Sequence, residues 1–410
     1  MYSIFVQIAS YRDPELKPTI KSLLKNAAYP DNITICIAHQ YSDEDKWDNL
    51  NEYKNDGRFI IIDIPHEESG GTCWARAEIQ KHYNNEHFTL QLDSHHRFAK
   101  NWDKTLIKML LKLQQKGHIK PLITTYLPSY DPTDDPKSRV NIPWGMSFHQ
   151  FNNSGIPMFK PFYMEDKPAK PVLGRFYSGH FAFTLGLFCK EVPHDPLLYF
   201  HGEEISIAVR AYTYGYDIFY PHKVVAWHEY TRANRKKHWD DHNTWNIANE
   251  QSQTRVKNLL GIDDAICTPC MEKQFKGMMG DIRIIKQYER FAGIKFVDRS
   301  VQQAAISNWP PEARDDKFLK KVNHTITLLP NQLDFDNYKF IAIIYEDKNN
   351  NQIYRKDILT HEFDKYKNLK IIQISSEFIG NFPSKCIIWP YTKKNKWTDK
   401  IERDISPAMP

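Results

Sequence analysis

Phe88-Thr89-Leu90-Gln91-Leu92-Asp93-Ser94-His95 is the stretch on which the reading of this chain turns. An apolar, strand-like run ends in a carboxylate and an imidazole two positions apart. In extended backbone, residues i and i+2 point to the same side, so Asp93 and His95 can aim an oxygen and a ring nitrogen at one cation. That is half of a divalent-metal site. A third ligand has to come from elsewhere, and His228 is the best candidate because it follows another short apolar run, Val224-Val225-Ala226-Trp227. The plain alternative is that Asp93 caps a turn and His95 is a surface histidine, and the rest of the sequence has to decide between the two.

Working outward, residues 3–9, 34–38, 59–64, 88–92 and 122–126 are short apolar runs without clean alternation, as expected of strands covered on both faces. Helical patterns lie between several of them. Asp13-Pro14-Glu15 reads as a helix start with Asp13 as cap, followed by Leu16, Ile20, Leu23 and Leu24 on one face. Trp102, Leu106, Met109, Leu110 and Leu113 repeat the pattern. Strands alternating with helices predict an α/β fold with a mainly parallel sheet, whose ligands bind beyond the carboxyl ends of the strands. Residues 127–175 are rich in Pro, Asp, Asn and Lys and read as a long surface excursion over the cleft. A helix is expected over 203–214, with Ile205, Val209 and Tyr212 inward and Gly215 ending it. The pattern breaks near Asn308-Trp309-Pro310-Pro311. Beyond it, 340–345, 369–374 and 386–389 look like strands, with a hairpin turn at 347–352. The expected organisation is therefore a domain over 1–305 and a small, mostly β accessory domain over 315–410.

The 410 residues are 41% hydrophobic, enough for a substantial core. A balance of 55 basic to 50 acidic residues is too diffuse for a nucleic-acid partner, while peripheral association with a membrane surface stays compatible with it. No run approaches the ~18 apolar residues of a membrane span, and strand-like sequence begins almost at Met1, so the expected location is the cytoplasm. Six cysteines suit reduced thiols rather than a disulfide framework. Only Cys267-Thr268-Pro269-Cys270 has metal or redox spacing, and no second ligand pair follows it.

One carboxylate with imidazoles suits Mn2+ better than Ca2+ or Mg2+, which prefer oxygen ligands. Mg2+ is the alternative ion. Such an ion can bridge a diphosphate and neutralise its charge as a leaving group departs. Gly70-Gly71-Thr72-Cys73-Trp74-Ala75-Arg76 sets a flexible pair before a helix start, with an arginine one turn in, able to meet phosphate. It also fits a tight turn with a surface arginine. His201-Gly202-Glu203-Glu204 places two carboxylates at a helix N-terminus, where they are favourable without any function or where one faces the cleft. Glu229-Tyr230-Thr231-Arg232 and Arg235-Lys236-Lys237-His238 follow His228, either as a solvated basic surface or as a cover over a diphosphate.

Taken in order, Val6-Gln7-Ile8-Ala9-Ser10-Tyr11-Arg12-Asp13, the Gly70–Arg76 segment, Gln91-Leu92-Asp93-Ser94-His95-His96-Arg97-Phe98, Ser178-Gly179-His180-Phe181, His201-Gly202-Glu203-Glu204-Ile205 and Trp227-His228-Glu229-Tyr230 resemble the glycosyltransferase family of the Skp1-type hydroxyproline N-acetylglucosaminyltransferases. They are more distantly similar to the polypeptide N-acetylgalactosaminyltransferases. The resemblance spans roughly residues 3 to 290. It implies a GT-A fold, a UDP-sugar donor, Mn2+ held by Asp93, His95 and His228, and retention of anomeric configuration. It also implies uridine against Ala9, Ser10, Tyr11, Arg12 and Asp63, and the diphosphate region near Arg76, with Ser94 and Arg232 also among the donor-binding residues. Ser178, Gly179 and His180 would line the donor-sugar pocket, and Glu203, with Glu204 second to it, would be the carboxylate set against donor and acceptor hydroxyls. The C-terminal region lies outside the resemblance, and no hydroxyproline-protein acceptor follows from it.

The sequence thus points to a metal-dependent retaining transferase moving a sugar, GlcNAc foremost, from a UDP-sugar to a hydroxyl of a glycan or protein acceptor. One rival is a sugar nucleotidyltransferase, which should carry a Gly-rich basic loop after the first strand, where this chain has Ala9-Ser10-Tyr11-Arg12-Asp13-Pro14. The other is a carbohydrate-binding protein without turnover.

Overall fold

The computed structural model describes residues 2–231, 235–265, 277–308, 310–311, 318–367 and 369–405. The chain divides into two compact units, Met1–Asp298 with Gln302–Asp316, and Arg299–Val301 with Lys317–Pro410.

The first unit is built on strands β1 (Ile4–Tyr11), β2 (Ile33–Tyr41), β3 (Phe59–Pro65), β4 (Phe88–Asp93), β5 (His96–Phe98), β6 (Lys120–Thr124), β7 (Trp144–Phe151), β8 (Pro157–Tyr163), β9 (Val172–Leu173), β10 (Phe181–Leu185), β11 (Tyr216–Tyr220) and β12 (Ala226–His228). Its helices include α1 (Leu16–Asn26), α2 (Thr72–Gln80), α3 (Trp102–Gln115), α4 (Phe188–Glu191), α5 (Glu203–Thr213), α6 (His238–Asp241) and α7 (Trp245–Leu260). Eight strands form one sheet in the order β3-β2-β1-β4-β10-β6-β11-β9. The sheet is mainly parallel, as the alternation of strands and helices predicts, with β10 antiparallel to both β4 and β6 and β9 antiparallel to β11.

Both faces are covered, which explains why the strand runs do not alternate. On β1, Ile4, Val6 and Ile8 join a core with Leu16, Ile20 and Leu23 of α1 and Trp102, Leu106 and Leu110 of α3. Phe5, pointing the other way, packs with Ala75 and Ile79 of α2. Trp102 is fully buried and its indole N–H donates to the Leu23 carbonyl at 3.0 Å, tying α3 to the end of α1. Helix α5 ends where expected, with Gly215 at φ +85.

The stretch 127–175 differs from the sequence expectation. It carries the β7–β8 hairpin, and β9 joins the main sheet. The large apolar residues Trp144, Met146 and Phe148 recur at period two, with Gly145 and Ser147 between them buried as well, a strand signal overshadowed by the polar and Pro-rich flanks. The expected strand at 122–126 lies two residues earlier, at Lys120–Thr124.

The second unit is all antiparallel in its larger pairings. Phe318–Leu328 pairs with Ile372–Gly380, and a separate sheet runs Gln352–Leu359, Tyr338–Glu346, Lys385–Thr392, Ile401–Asp404. The turn after Glu346 closes the expected hairpin. Its core gathers Val322, Ile326, Ile341, Ile343, Ile374 and Ile388. Cys36, Cys73, Cys189 and Cys386 are buried free thiols. Cys267 and Cys270 lie outside the described residues. Among the described residues no helix is long and apolar enough to cross a membrane.

Truncating Trp102 removes a large buried ring and one hydrogen bond. Trp102→Ala is expected to destabilise the first unit by about 3–5 kcal/mol, read as a lowered urea midpoint by circular dichroism.

Candidate active site

Strand register sets the site. Ala9 of β1 stands beside Asp93 of β4, so the ends of both strands share one edge of the sheet. Because β10 runs against β4, with Phe181 opposite Leu92, the residues just before β10, Ser178 to His180, arrive at that same edge. After Asp93 the chain bends at Ser94 and pairs antiparallel with β12, placing His96 opposite His228. The ligand atoms of Asp93, His95 and His228 all lie within 4.8 Å of one another. The i, i+2 convergence expected for Asp93 and His95 is therefore real, although it is made through a bend rather than along a continuous strand.

Asp93 is the hub. Its Oδ2 lies 3.7 Å from His95 Nε2 and 3.6 Å from His228 Nε2, while Oδ1 accepts a 2.6 Å hydrogen bond from Arg76 Nη2. Burial pushes its carboxyl up, but His228, Arg76 and His95 together hold it well below the usual range. Among the described residues, His228 has no hydrogen-bond partner at either ring nitrogen, and burial keeps it neutral by pulling its pKa well down. A buried imidazole with free lone-pair capacity beside an ionised carboxylate is the donor set of a borderline divalent ion.

His95 is aimed by a residue that the sequence reading took for a helix cap. Helix α1 starts at Leu16 with no side-chain cap at Glu15. Asp13, buried, turns its Oδ2 to His95 Nδ1 at 2.8 Å, to the Ser94 hydroxyl at 2.7 Å and to Arg235 Nη1 at 2.8 Å, while its other oxygen keeps a cap-like role. Its Oδ1 accepts the Glu15 N–H at 2.9 Å. Burial works against ionisation, yet His95, Arg235 and Ser94 keep the Asp13 carboxyl below its ordinary range. A carboxylate behind a histidine fixes its ring, and here leaves His95 Nε2 facing Asp93 Oδ2.

Glu203 and Glu204 open α5 after Gly202, whose φ of +101 only glycine adopts without strain. Glu203 pairs with Arg76 Nη1 and lies 3.3 Å from His194 Nδ1. Burial raises its carboxyl and Arg76 offsets part of the rise. Glu204 Oε1 accepts the Gly179 N–H at 2.9 Å and Oε2 accepts the Tyr126 hydroxyl at 2.7 Å. Its pKa is pushed up to about 7 by burial, which those two bonds only partly counter. A Cβ at Gly179 would stand 3.3 Å from both Arg76 Nη1 and Glu203 Oε2, so the backbone there is close to the charged pair.

These groups line a cleft of about 1040 Å³. Of the residues singled out from sequence, Ala9, Tyr11, Arg76, Asp93, Ser94, His95, Gly179, His180, Glu203, Glu204 and His228 are on its wall. Ser10, Arg12, Asp63 and Ser178 are not. Arg12 is 6% exposed and bound to Asp45 at 2.6 Å and Asp241 at 3.2 Å. Asp63 is taken up by His39 and Lys54. The Ser178 backbone N–H donates to Thr124 at 3.0 Å. Arg232 lies outside the described residues. The basic stretch after it does fold against the edge: Arg235 reaches Asp13, and His238 and His242 stack beside Tyr11. Sequence reasoning missed Asp13, Tyr126, Tyr230 and His194. For Asp13 the signal available was its place directly after β1 on the same edge as Asp93.

The class of protein follows from a match along most of the first unit. The family described as Glycosyltransferase (GlcNAc) matches residues 3–59 and 48–298. The chain belongs to that family, which counts against the nucleotidyltransferase alternative. None of the curated proteins matches the sequence. Among solved structures, GalNAc-T7 with UDP, GalNAc and Mn2+ is similar at 14% identity and TM-score 0.46, covering 70% of this chain and 54% of that one. The chain thus spans about half the length of GalNAc-T7. S. aureus TarS 1-349 in complex with UDP-GlcNAc gives 13% identity, TM-score 0.38 and coverage of 62% and 70%. Longer S. aureus TarS gives 10%, 0.37, 98% and 86%.

A carboxyl whose folded pKa is raised binds its proton more tightly in the folded chain, so stability falls as pH rises from the ordinary value of 4.5 through about 7. Glu204→Gln keeps a hydrogen-bonding group toward Gly179 and Tyr126 without the charge. The variant is expected to lose that pH dependence over the window, measured as urea midpoints between pH 4.5 and pH 7.

Proposed function

We propose that this chain is a GT-A-type, metal-dependent retaining transferase that moves GlcNAc from UDP-GlcNAc to a hydroxyl of a glycan or protein acceptor. The observation that carries this reading is the convergence of Asp93, His95 and His228, with both His228 ring nitrogens unpartnered among the described residues and Arg76 on the far oxygen of Asp93. The three side chains fit Mn2+, with Mg2+ a poorer match to two imidazoles. When bound, such an ion supplies charge neutralisation on the diphosphate as UDP leaves.

The chain's own residues account for the rest. Ala9 and Tyr11 offer a wall for the nucleoside, and Gly179, close to Arg76 and Glu203, lies on the same cleft wall as a place for the donor sugar. Arg76 keeps Asp93 and Glu203 in fixed positions and adds a cation to the cleft. Glu204, with a pKa near neutrality, can accept from or donate to a sugar hydroxyl. Glu203 and Glu204 are both engaged by protein groups, which favours a same-face displacement over a covalent glycosyl intermediate. In that displacement the acceptor hydroxyl attacks as UDP departs, and a diphosphate oxygen takes its proton. Catalysis then rests on positioning and charge stabilisation.

UDP release from UDP-GlcNAc with Mn2+ and no acceptor tests this reading. Slow, chelator-sensitive release is expected, reduced by about a hundredfold or more in Asp93→Ala and His228→Ala while circular dichroism is unchanged. Undiminished release from either variant contradicts the metal assignment, and no release from the native chain favours a binding protein.

A further inference from the structure

The first unit has a second groove, of about 1090 Å³, between α3 and the segments at 141–143, 167–171 and 222–224. Its chemistry is one-sided. Lys104, Lys108, Lys112 and Lys116 line one wall, and Lys167, Lys170 and Lys223 line the others, with no carboxylate among the lining residues. All seven side chains are exposed. Among the described residues, none of the seven forms an ion pair. Elsewhere in this unit lysines do find acids, as Lys120 does with Glu191 and Lys257 with Asp263. A lining histidine already feels these charges: His222 is held below its ordinary pKa by burial and by Lys223 and Lys112.

We infer that this groove binds a linear polyanion, an acidic chain carrying phosphate or carboxylate groups at short regular intervals. Lys104, Lys108 and Lys112 of α3 and Lys116 at its C-terminal cap recur every fourth residue, which on a helix spaces charges by about 6 Å along the axis. Unpaired cations facing one another across a concavity repel, and a polyanion relieves that repulsion while releasing its own counterions. The lining holds no Phe, Tyr or Trp on which nucleic-acid bases could stack. It also presents no exposed large apolar side chain to anchor in a bilayer, since Met109 and Leu113 are buried. The excursion at 141–171 connects groove and cleft: Pro143 and Lys167 line the groove, Trp144 and Pro161 the cleft. On the transferase reading, the groove therefore holds the acidic part of an acceptor whose hydroxyl reaches the cleft.

Binding of fluorescent long-chain polyphosphate to the full-length chain, followed by anisotropy at several salt concentrations, tests the groove. Affinity should fall as salt rises. The triple variant Lys104→Glu/Lys108→Glu/Lys112→Glu should bind about tenfold or more weakly, with a shallower salt dependence. Replacement of the same three lysines by Gln keeps helix propensity and should weaken binding in the same direction. Lys46→Glu/Lys348→Glu/Lys394→Glu, an equal charge change at other exposed lysines, should bind as the native chain does. UDP release without acceptor should be the same in all four proteins. Native-like binding by both α3 variants overturns the inference. So does tighter binding, through these lysines, of single-stranded DNA or of phosphatidylglycerol vesicles than of polyphosphate. Absence of UDP release from the native chain with binding intact would sink the transferase reading and leave the groove standing.

Discussion

A buried carboxylate at the end of a sheet strand stays ionised where a cation meets it and polar rings surround it, and Asp93 has both. Arg76 takes one oxygen, and the imidazoles of His95 and His228 face the other. Much of the first unit can be understood as the means of bringing those partners together. Helix α2 carries Arg76 in from one face, the bend at Ser94 swings His95 round, and the β5–β12 ribbon delivers His228 from more than a hundred residues away. Arg76 also binds Glu203, so the same guanidinium links the metal-type triad to the N-terminus of α5.

Strand direction does the remaining work. In a wholly parallel sheet, the segment preceding a strand lies at the edge opposite the site. The reversal of β10 places Ser178 to His180 at the carboxyl end of β4, and Gly179 then comes within reach of both α5 glutamates. His180 packs its ring on His228 at 4.1 Å between centroids, and burial lowers its pKa to about 3, so it adds an uncharged wall beside the triad.

Much of this was legible in the sequence, and for physical reasons. Strands covered on both faces leave continuous apolar runs, which located β1, β2, β3 and β4 within a few residues. Asp93, His95 and His228 could be read because each stands at the end of such a run. What could not be read were partnerships made across the fold. Asp13 reads as a helix cap, and one of its oxygens does accept the Glu15 N–H, but only β1 and β4 set side by side show that the other holds His95. Arg12 looks like a free cation until Asp45 and Asp241 close on it. The groove lysines were part of a small net charge that appeared diffuse, because only the folded chain shows α3 facing Lys167, Lys170 and Lys223. The β7–β8 hairpin was hidden for a different reason, since its period-two signal is short and its flanks are polar.

The central claim is that one carboxylate and two imidazoles hold a single divalent ion at the edge of this sheet. Pulsed electron paramagnetic resonance on the protein titrated with Mn2+ and UDP tests it most directly. The account expects one tightly held ion per chain whose echo is modulated by two imidazole nitrogens, and loss of one of those couplings in His228→Ala. An ion bound without nitrogen coupling, or no stoichiometric ion at all, would contradict it.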